Sequence, residues 1–82
     1  MITTINNKTV YRYKIELVTN ADVVMFNKIA SRQSSEVYLV GPGMKINAKS
    51  FIGTHLARVS WNKLELETEF DSYVEFKQFI VD

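Results

Sequence analysis

Residues 11–18 alternate: Tyr13, Ile15 and Leu17 fall on one side, and Arg12, Lys14 and Glu16 on the other. That two-residue period predicts a half-buried strand. Thr19-Asn20-Ala21-Asp22 then offers several helix caps. From residue 23 to 31 the period lengthens. Val23, Phe26, Ile29 and Ala30 share one helical face, and Lys28 and Arg32 suit the C-terminal end of the dipole. Alternation returns over 36–40, with Val37 and Leu39 inward. Gly41-Pro42-Gly43 reads as a turn, because proline presets φ at its second position and glycine tolerates positive φ at the third. Residues 44–47 return, so 36–47 is a hairpin. Ser50 is the candidate N-cap of a short helix bearing Phe51, Ile52, His55, Leu56 and Val59. Trp61-Asn62-Lys63 leads into a strand over 64–69, leucines in and glutamates out. Ser72-Tyr73-Val74-Glu75 has the capping-box pattern. Tyr73, Phe76, Phe79 and Ile80 then share the buried face of a last helix.

The order β-α-β-β-α-β-α predicts an α+β domain, an antiparallel sheet covered by helices on one face. Residues 1–9 are mostly polar and read as a flexible N-terminal arm, leaving 10–82 as the domain. Composition agrees with a single globular unit: 82 residues, 46% hydrophobic and 23% charged. The formal charge of +1 gives no case for nucleic acid. With no cysteine and one histidine, disulfides, thiolate or multi-histidine metal sites and a cysteine nucleophile are excluded. No apolar run suits a membrane span, and the first residues lack the apolar core of a secretory signal, so the expectation is a cytoplasmic protein with no membrane partner.

One stretch carries a family likeness. Ser35-Glu36-Val37-Tyr38-Leu39-Val40, Gly43, and Asn47-Ala48-Lys49-Ser50-Phe51-Ile52-Gly53 resemble the central segment of the HPr family, the histidine-containing phosphocarriers of the bacterial sugar phosphotransferase system. The match runs without gaps over about twenty residues, and the element order extends it. The resemblance implies an HPr-like open-faced β-sandwich: a four-stranded antiparallel sheet of order 1-4-2-3 with three helices on one face. It fails at the family's chemistry. HPr proteins carry a His-x-Arg-Pro motif between the first strand and first helix, whose histidine accepts a phosphoryl group. Here Val18-Thr19-Asn20-Ala21-Asp22 holds no histidine, arginine or proline and is about four or five residues short. Asp22 would repel an incoming phosphate. No catalytic residue is carried over.

The position that matches is Ser50. Its counterpart in HPr of Gram-positive type is a regulatory phosphorylation site for a dedicated kinase. A phosphate at a helix N-terminus meets free backbone N–H groups, and Lys45 and Lys49 lie close in sequence. The resemblance further implies that Phe51, Ile52 and His55, beside Lys49, form a docking face. His55 stands where the family often has methionine. The implied function is a non-catalytic regulatory or interaction protein with protein partners, a serine kinase and a regulator among them, and no cofactor.

Other readings stand beside this one. Ser50 is first of all a helix cap, His55 a surface residue of a short helix, and Phe51 and Ile52 each partly core rather than wholly interface. The chain also fits a scaffold or dimerising module without phosphorylation, monomeric or homodimeric, and, third, a divergent phosphocarrier. Residues 1–63 hold nine basic and three acidic groups, and 64–82 one basic and six acidic. With the first and last strands adjacent, Arg12 and Lys14 would face Glu65, Glu67 and Glu69, so the asymmetry reads as internal pairing. Asp71 and Glu75 sit at a helix start rather than as an opposed acid–base pair. Tyr11, Tyr13, Tyr38 and Trp61 interleaved with Arg12 and Lys14 give a weaker reading as a nucleic-acid face.

Overall fold

The computed structural model describes residues 2–61 and 63–81; Asn62, within the connection expected at 61–63, lies outside the described residues. The protein is a small α+β fold with an open antiparallel sheet and three α-helices. The elements are β1 (Ile2–Ile5), β2 (Lys8–Ile15), α1 (Asn20–Arg32), β3 (Val37–Gly41), β4 (Met44–Asn47), α2 (Phe51–Ser60), β5 (Leu64–Thr68) and α3 (Tyr73–Phe76), closed by a 3₁₀ turn at Lys77–Phe79. The sheet order is β1-β2-β5-β3-β4.

The sheet has five strands where the sequence reading expected four. The extra one comes from the expected arm. Ile2 pairs with Tyr11 and Ile5 with Lys8 across a two-residue turn at Asn6-Asn7. Both asparagines have positive φ, 50° and 66°. That is the demand of the hairpin turn whose twist matches the strands, and asparagine meets it at less cost than other side chains. The β-branched run on either side supplies the strand propensity. The four expected strands run in the order β2-β5-β3-β4. Beyond β1, the chain end lies along β2: Glu16 N–H donates to the Phe79 carbonyl at 2.9 Å, and Val81 N–H to that of Lys14 at 2.8 Å.

One core holds the layers together. Val37, Leu39, Leu64 and Leu66 from the sheet join Val23, Phe26 and Ala30 of α1, Ala57 of α2, Phe76 of α3 and Phe79 of the closing turn. Phe26 is fully buried and touches Phe76 and Phe79, ring centroids 5.1 and 5.5 Å away. The pleat sends the alternate residues to the uncovered face, where Arg12 stands opposite Glu67 and Lys14 opposite Glu65. At the β3–β4 turn Gly43 adopts φ 73°, as Pro42-Gly43 requires. Gly41 is needed for a different reason. A Cβ there would stand 2.2 Å from the Trp61 ring, which lies flat against the backbone.

The capping box expected at Ser72 does not form. Ser72 is buried, its hydroxyl is 2.9 Å from Thr68 Oγ1, and it makes no cap bond. The helix that follows is four residues long, and Tyr73, expected inward, is 43% exposed.

Candidate functional site

The segment before α2 is pinned from several sides. Asn27 of α1 donates to the carbonyls of Ala48 (3.3 Å) and Lys49 (3.0 Å). Thr54, buried on α2, donates within reach of the carbonyls of Ala48 (3.1 Å) and Ser50 (3.0 Å). Asn47 Oδ1 accepts from the Lys49 N–H at 2.9 Å. Ser50 therefore sits at a fixed corner. It caps α2 as the sequence predicts, its Oγ accepting from the Gly53 N–H at 3.1 Å, and it is exposed. A phosphate on that oxygen would lie at the N-terminus of α2, a ten-residue helix with no acidic residue in its first turn.

The lysines do not converge on Ser50. The Lys49 ammonium donates to the Gln33 carbonyl at the end of α1, 2.8 Å away. Lys45 is drawn to the uncovered sheet face, where it meets Glu67 Oε2 at 2.5 Å and lies 4.4 Å over the Tyr38 ring. Arg12 grips the other carboxylate oxygen through Nε (2.8 Å) and Nη2 (2.7 Å). The Glu67 side chain is only 7% exposed. Burial alone would raise its pKa; hydrogen bonds from Lys45 and Arg12, and their charges, outweigh burial and hold it below the ordinary range. With Lys8 3.7 Å from Glu69, the basic and acidic ends of the sequence meet on this face, internally paired. The aromatic residues weighed as a nucleic-acid face are dispersed. Tyr38 lies under Lys45, Trp61 against Gly41, and Tyr13 packs on the core side and donates to Asp71 at 3.3 Å.

Of the predicted docking residues, the outer face of α2 carries Phe51, Ile52 and His55, while Lys49 is turned to Gln33. Phe51 is 49% exposed and Ile52 79%, and the exposed His55 ring stacks on Phe51 with centroids 6.5 Å apart and planes 16° from parallel. Leu56 and Val59, also outward, extend that face to the end of the helix. The sequence reading placed them in the helix's apolar pattern without saying which way they point. The signal lay in the small residues. Gly53, Thr54 and Ala57 occupy the side facing the sheet, and a Cβ on Gly53 would come 2.7 Å from Ile46. So close an approach leaves the large side chains nowhere but outward.

The connection between β2 and α1, where the family motif is missing, is closed by two devices. Thr19 and Asp22 form a reciprocal capping box: Thr19 Oγ1 accepts from the Asp22 N–H (3.1 Å), and Asp22 Oδ2 accepts from the N–H groups of Thr19 (3.2 Å) and Val18 (2.9 Å). From α2, Arg58 donates to the carbonyls of Leu17 (3.0 Å) and Val18 (2.7 Å) and to Asn20 Oδ1 (3.1 Å). Arg58 was not singled out in the sequence, since its targets, two backbone carbonyls and one side-chain amide, lie some forty residues away. The open cleft beside it, about 560 Å³, is lined by Leu17, Val18, Val59 and Trp61 among others. Among the described residues no group of three or more His, Asp or Glu side chains is placed to hold a metal, and no helix is long and apolar enough to cross a membrane.

No protein-family model, curated protein or solved structure matches this chain.

Proposed function

We propose that the protein is a non-catalytic interaction protein of the HPr-like regulatory type, acting in the cytoplasm by docking a protein partner at the Ser50 end of α2. Phosphorylation of Ser50 is its switch. The carrying observation is the exposed Ser50 hydroxyl at the helix N-terminus, immediately followed by the exposed Phe51, Ile52 and His55. The order β2-β5-β3-β4 supports the family reading, in which β1 is an added fifth strand on the open-faced sandwich. The β2–α1 connection supports the loss of phosphoryl carriage. It holds no histidine, its carbonyls are engaged by Arg58, and its carboxylate caps α1.

A phosphoserine would exchange one neutral acceptor for a dianion at the edge of an apolar face. Partners that cover Phe51 and Ile52 would then have to accommodate or be repelled by that charge. Incubation with an HPr serine kinase and ATP, read by mass spectrometry, tests the switch. A single phosphate, lost in Ser50→Ala, is the expected result; no mass gain beside a true HPr control sinks it. Labelled phosphoenolpyruvate with its upstream enzyme is expected to leave no acid-labile phosphohistidine, and labelling lost in His55→Ala would restore the phosphocarrier reading.

A further inference from the structure

β4 is an outermost strand of the sheet, and one side of it is unpaired. Alternation along the strand fixes which backbone groups are spent. Ala48 N–H donates to the Val37 carbonyl at 2.7 Å, so the groups of Ile46 and Met44, two and four residues earlier, also turn toward β3. Those of Lys45 and Asn47 turn outward. The Asn47 carbonyl is taken by the Ser50 N–H at 3.1 Å. The Lys45 N–H and carbonyl and the Asn47 N–H have no partner among the described residues. Edges are commonly guarded by a proline within them or a charged side chain standing over them. β4 holds no proline, and Lys45, its one charged residue, folds back over Tyr38 to Glu67 on the uncovered face.

The helix side of this edge is apolar. Ile46 meets α2 at Gly53, and Met44, on the same side of the pleat, is 59% exposed. Arg58 reaches from α2 toward the start of α1. At about 100° per residue, Leu56 projects on the opposite side of the helix, with Ile52 one turn before it on the same stripe. That is the side of the outer edge of β4. The exposed Leu56 and Ile52 therefore stand beside Met44 along the open backbone groups.

The two sets of groups together specify the occupant. A helix could cover Met44, Ile52 and Leu56, but its own backbone groups are spent internally and none reach Lys45 and Asn47. A second copy of β4 would bring an Asn47 carbonyl already taken and the Gly43 turn close beyond its Lys45, so it cannot match both residues. An extended strand brings N–H and C=O groups at the two-residue period of the edge and turns every second side chain toward α2. We infer that β4 accepts a strand of a partner protein as the sixth strand of the sheet, held by the backbone of Lys45 and Asn47 and carrying apolar side chains at alternate positions against Met44, Ile52 and Leu56. The inference goes beyond the Ser50 docking reading. It shares Ile52 with that site and does not need Ser50 to be modified.

The test selects random linear peptides from a displayed library on the immobilised full chain, then measures binding of the enriched peptides in solution. They are expected to carry apolar residues at alternate positions. Methylating the amides of such a peptide one at a time should abolish binding with a two-residue period, since only every second amide faces β4. On the protein, Lys45→Pro deletes the outward N–H at an edge position that tolerates proline, and should weaken binding at least about tenfold. Lys45→Ala keeps that N–H while losing the contacts to Glu67 and Tyr38, and should stay within about threefold. Leu56→Glu should weaken binding at least about tenfold, and Val74→Glu, on α3, should leave it unaltered. By amide exchange, the open Lys45 N–H should slow at least about tenfold in the complex. Circular dichroism verifies the fold of each variant, and the methylation scan, which leaves the protein untouched, decides the matter if Lys45→Pro unfolds.

No enriched peptide, enriched peptides without the alternation, a methylation scan without the period, or binding indifferent to a folded Lys45→Pro overturns the inference. Lys45 protection that rises with protein concentration in the absence of peptide assigns the edge to a second copy and also overturns it. Each of these outcomes leaves the kinase test of Ser50 standing, and failure of the kinase to modify Ser50 leaves the strand site standing.

Discussion

The two longer helices pack on the same sheet in opposite ways. α1 turns Val23, Phe26 and Ala30 inward, and although Val24 and Met25 stay partly exposed, its one aromatic residue is at the centre of the core. α2 turns Gly53, Thr54 and Ala57 inward and its Phe, Ile, Leu and Val outward. Both are amphipathic by sequence, but α1 buries Val23 and Phe26, and α2 exposes its large apolar residues. Amphipathicity says that a helix has an apolar stripe. Which side meets the sheet depends on how close the helix sits, and that is decided by small residues. On α1 apolar side chains hold the fold together; on α2 they are surplus to it.

The contrast can be broken by paired substitutions followed in urea denaturation. The largest effect belongs to Phe26→Ala, which removes a fully buried ring and should cost about 3–5 kcal/mol, enough to unfold much of a domain this small. Ile52→Ala is the matching change on α2 and should stay within about 0.5 kcal/mol. Equal costs would mean that α2 buries its outer face after all. Next, Ala57→Leu forces a large side chain into the close contact with the sheet and should cost about 1–3 kcal/mol, while Leu56→Ala, one residue away, should cost less than about 0.5 kcal/mol. Arg58→Ala releases three acceptors of the β2–α1 connection and should cost about 1–2 kcal/mol, less than a buried charge because the residue is half-exposed. Ser50→Ala removes a cap and should cost about 1 kcal/mol, a stability effect to be subtracted before any change in binding is read. The smallest effect concerns acid. Glu67 has its pKa lowered on folding, so its contribution is present above the ordinary carboxylate range and is lost as pH falls through the depressed value. Glu67→Gln should flatten the fall in melting temperature below about pH 4.5, and an unchanged slope would show that the Arg12 and Lys45 contacts add nothing.

Much of this was legible from residue patterns. The alternation at 11–18, 36–40 and 64–69 located three strands, observed at Lys8–Ile15, Val37–Gly41 and Leu64–Thr68, Pro42-Gly43 the turn, Ser50 the cap of α2, and opposite charge the facing of Arg12 and Lys14 to the glutamates of β5. Three things were not legible. β1 was hidden because threonine and asparagine look like loop residues; two neighbouring asparagines between β-branched runs were the turn signal. Ser72 fits a capping box in sequence, yet Thr68 offered its hydroxyl a buried partner, and a local pattern cannot register that competitor. The outward orientation of Leu56 and Val59 follows from the 2.7 Å clearance at Gly53, a distance between α2 and β4 that no periodicity encodes. Of the candidate site, the cap was foreseen, whereas Phe51 and Ile52, read from the residues alone as more core than interface, are both exposed. The destination of the lysines was not foreseen: Lys45 is drawn to the buried Glu67 carboxylate on another strand, and Lys49 to the Gln33 carbonyl at the end of α1.

The contact of Trp61 with Gly41 supplies the protein with its own optical reporter. Trp61 is the only tryptophan, and its ring leans on the end of β3, twenty residues back along the chain. Its emission therefore follows the moment at which the end of α2 docks on the hairpin, not the formation of either piece. Helices form in about a microsecond, whereas this contact waits for the intervening segment to close. In a stopped-flow experiment, a fluorescence phase that lags the far-ultraviolet signal would time the step at which the face of α2 becomes fixed.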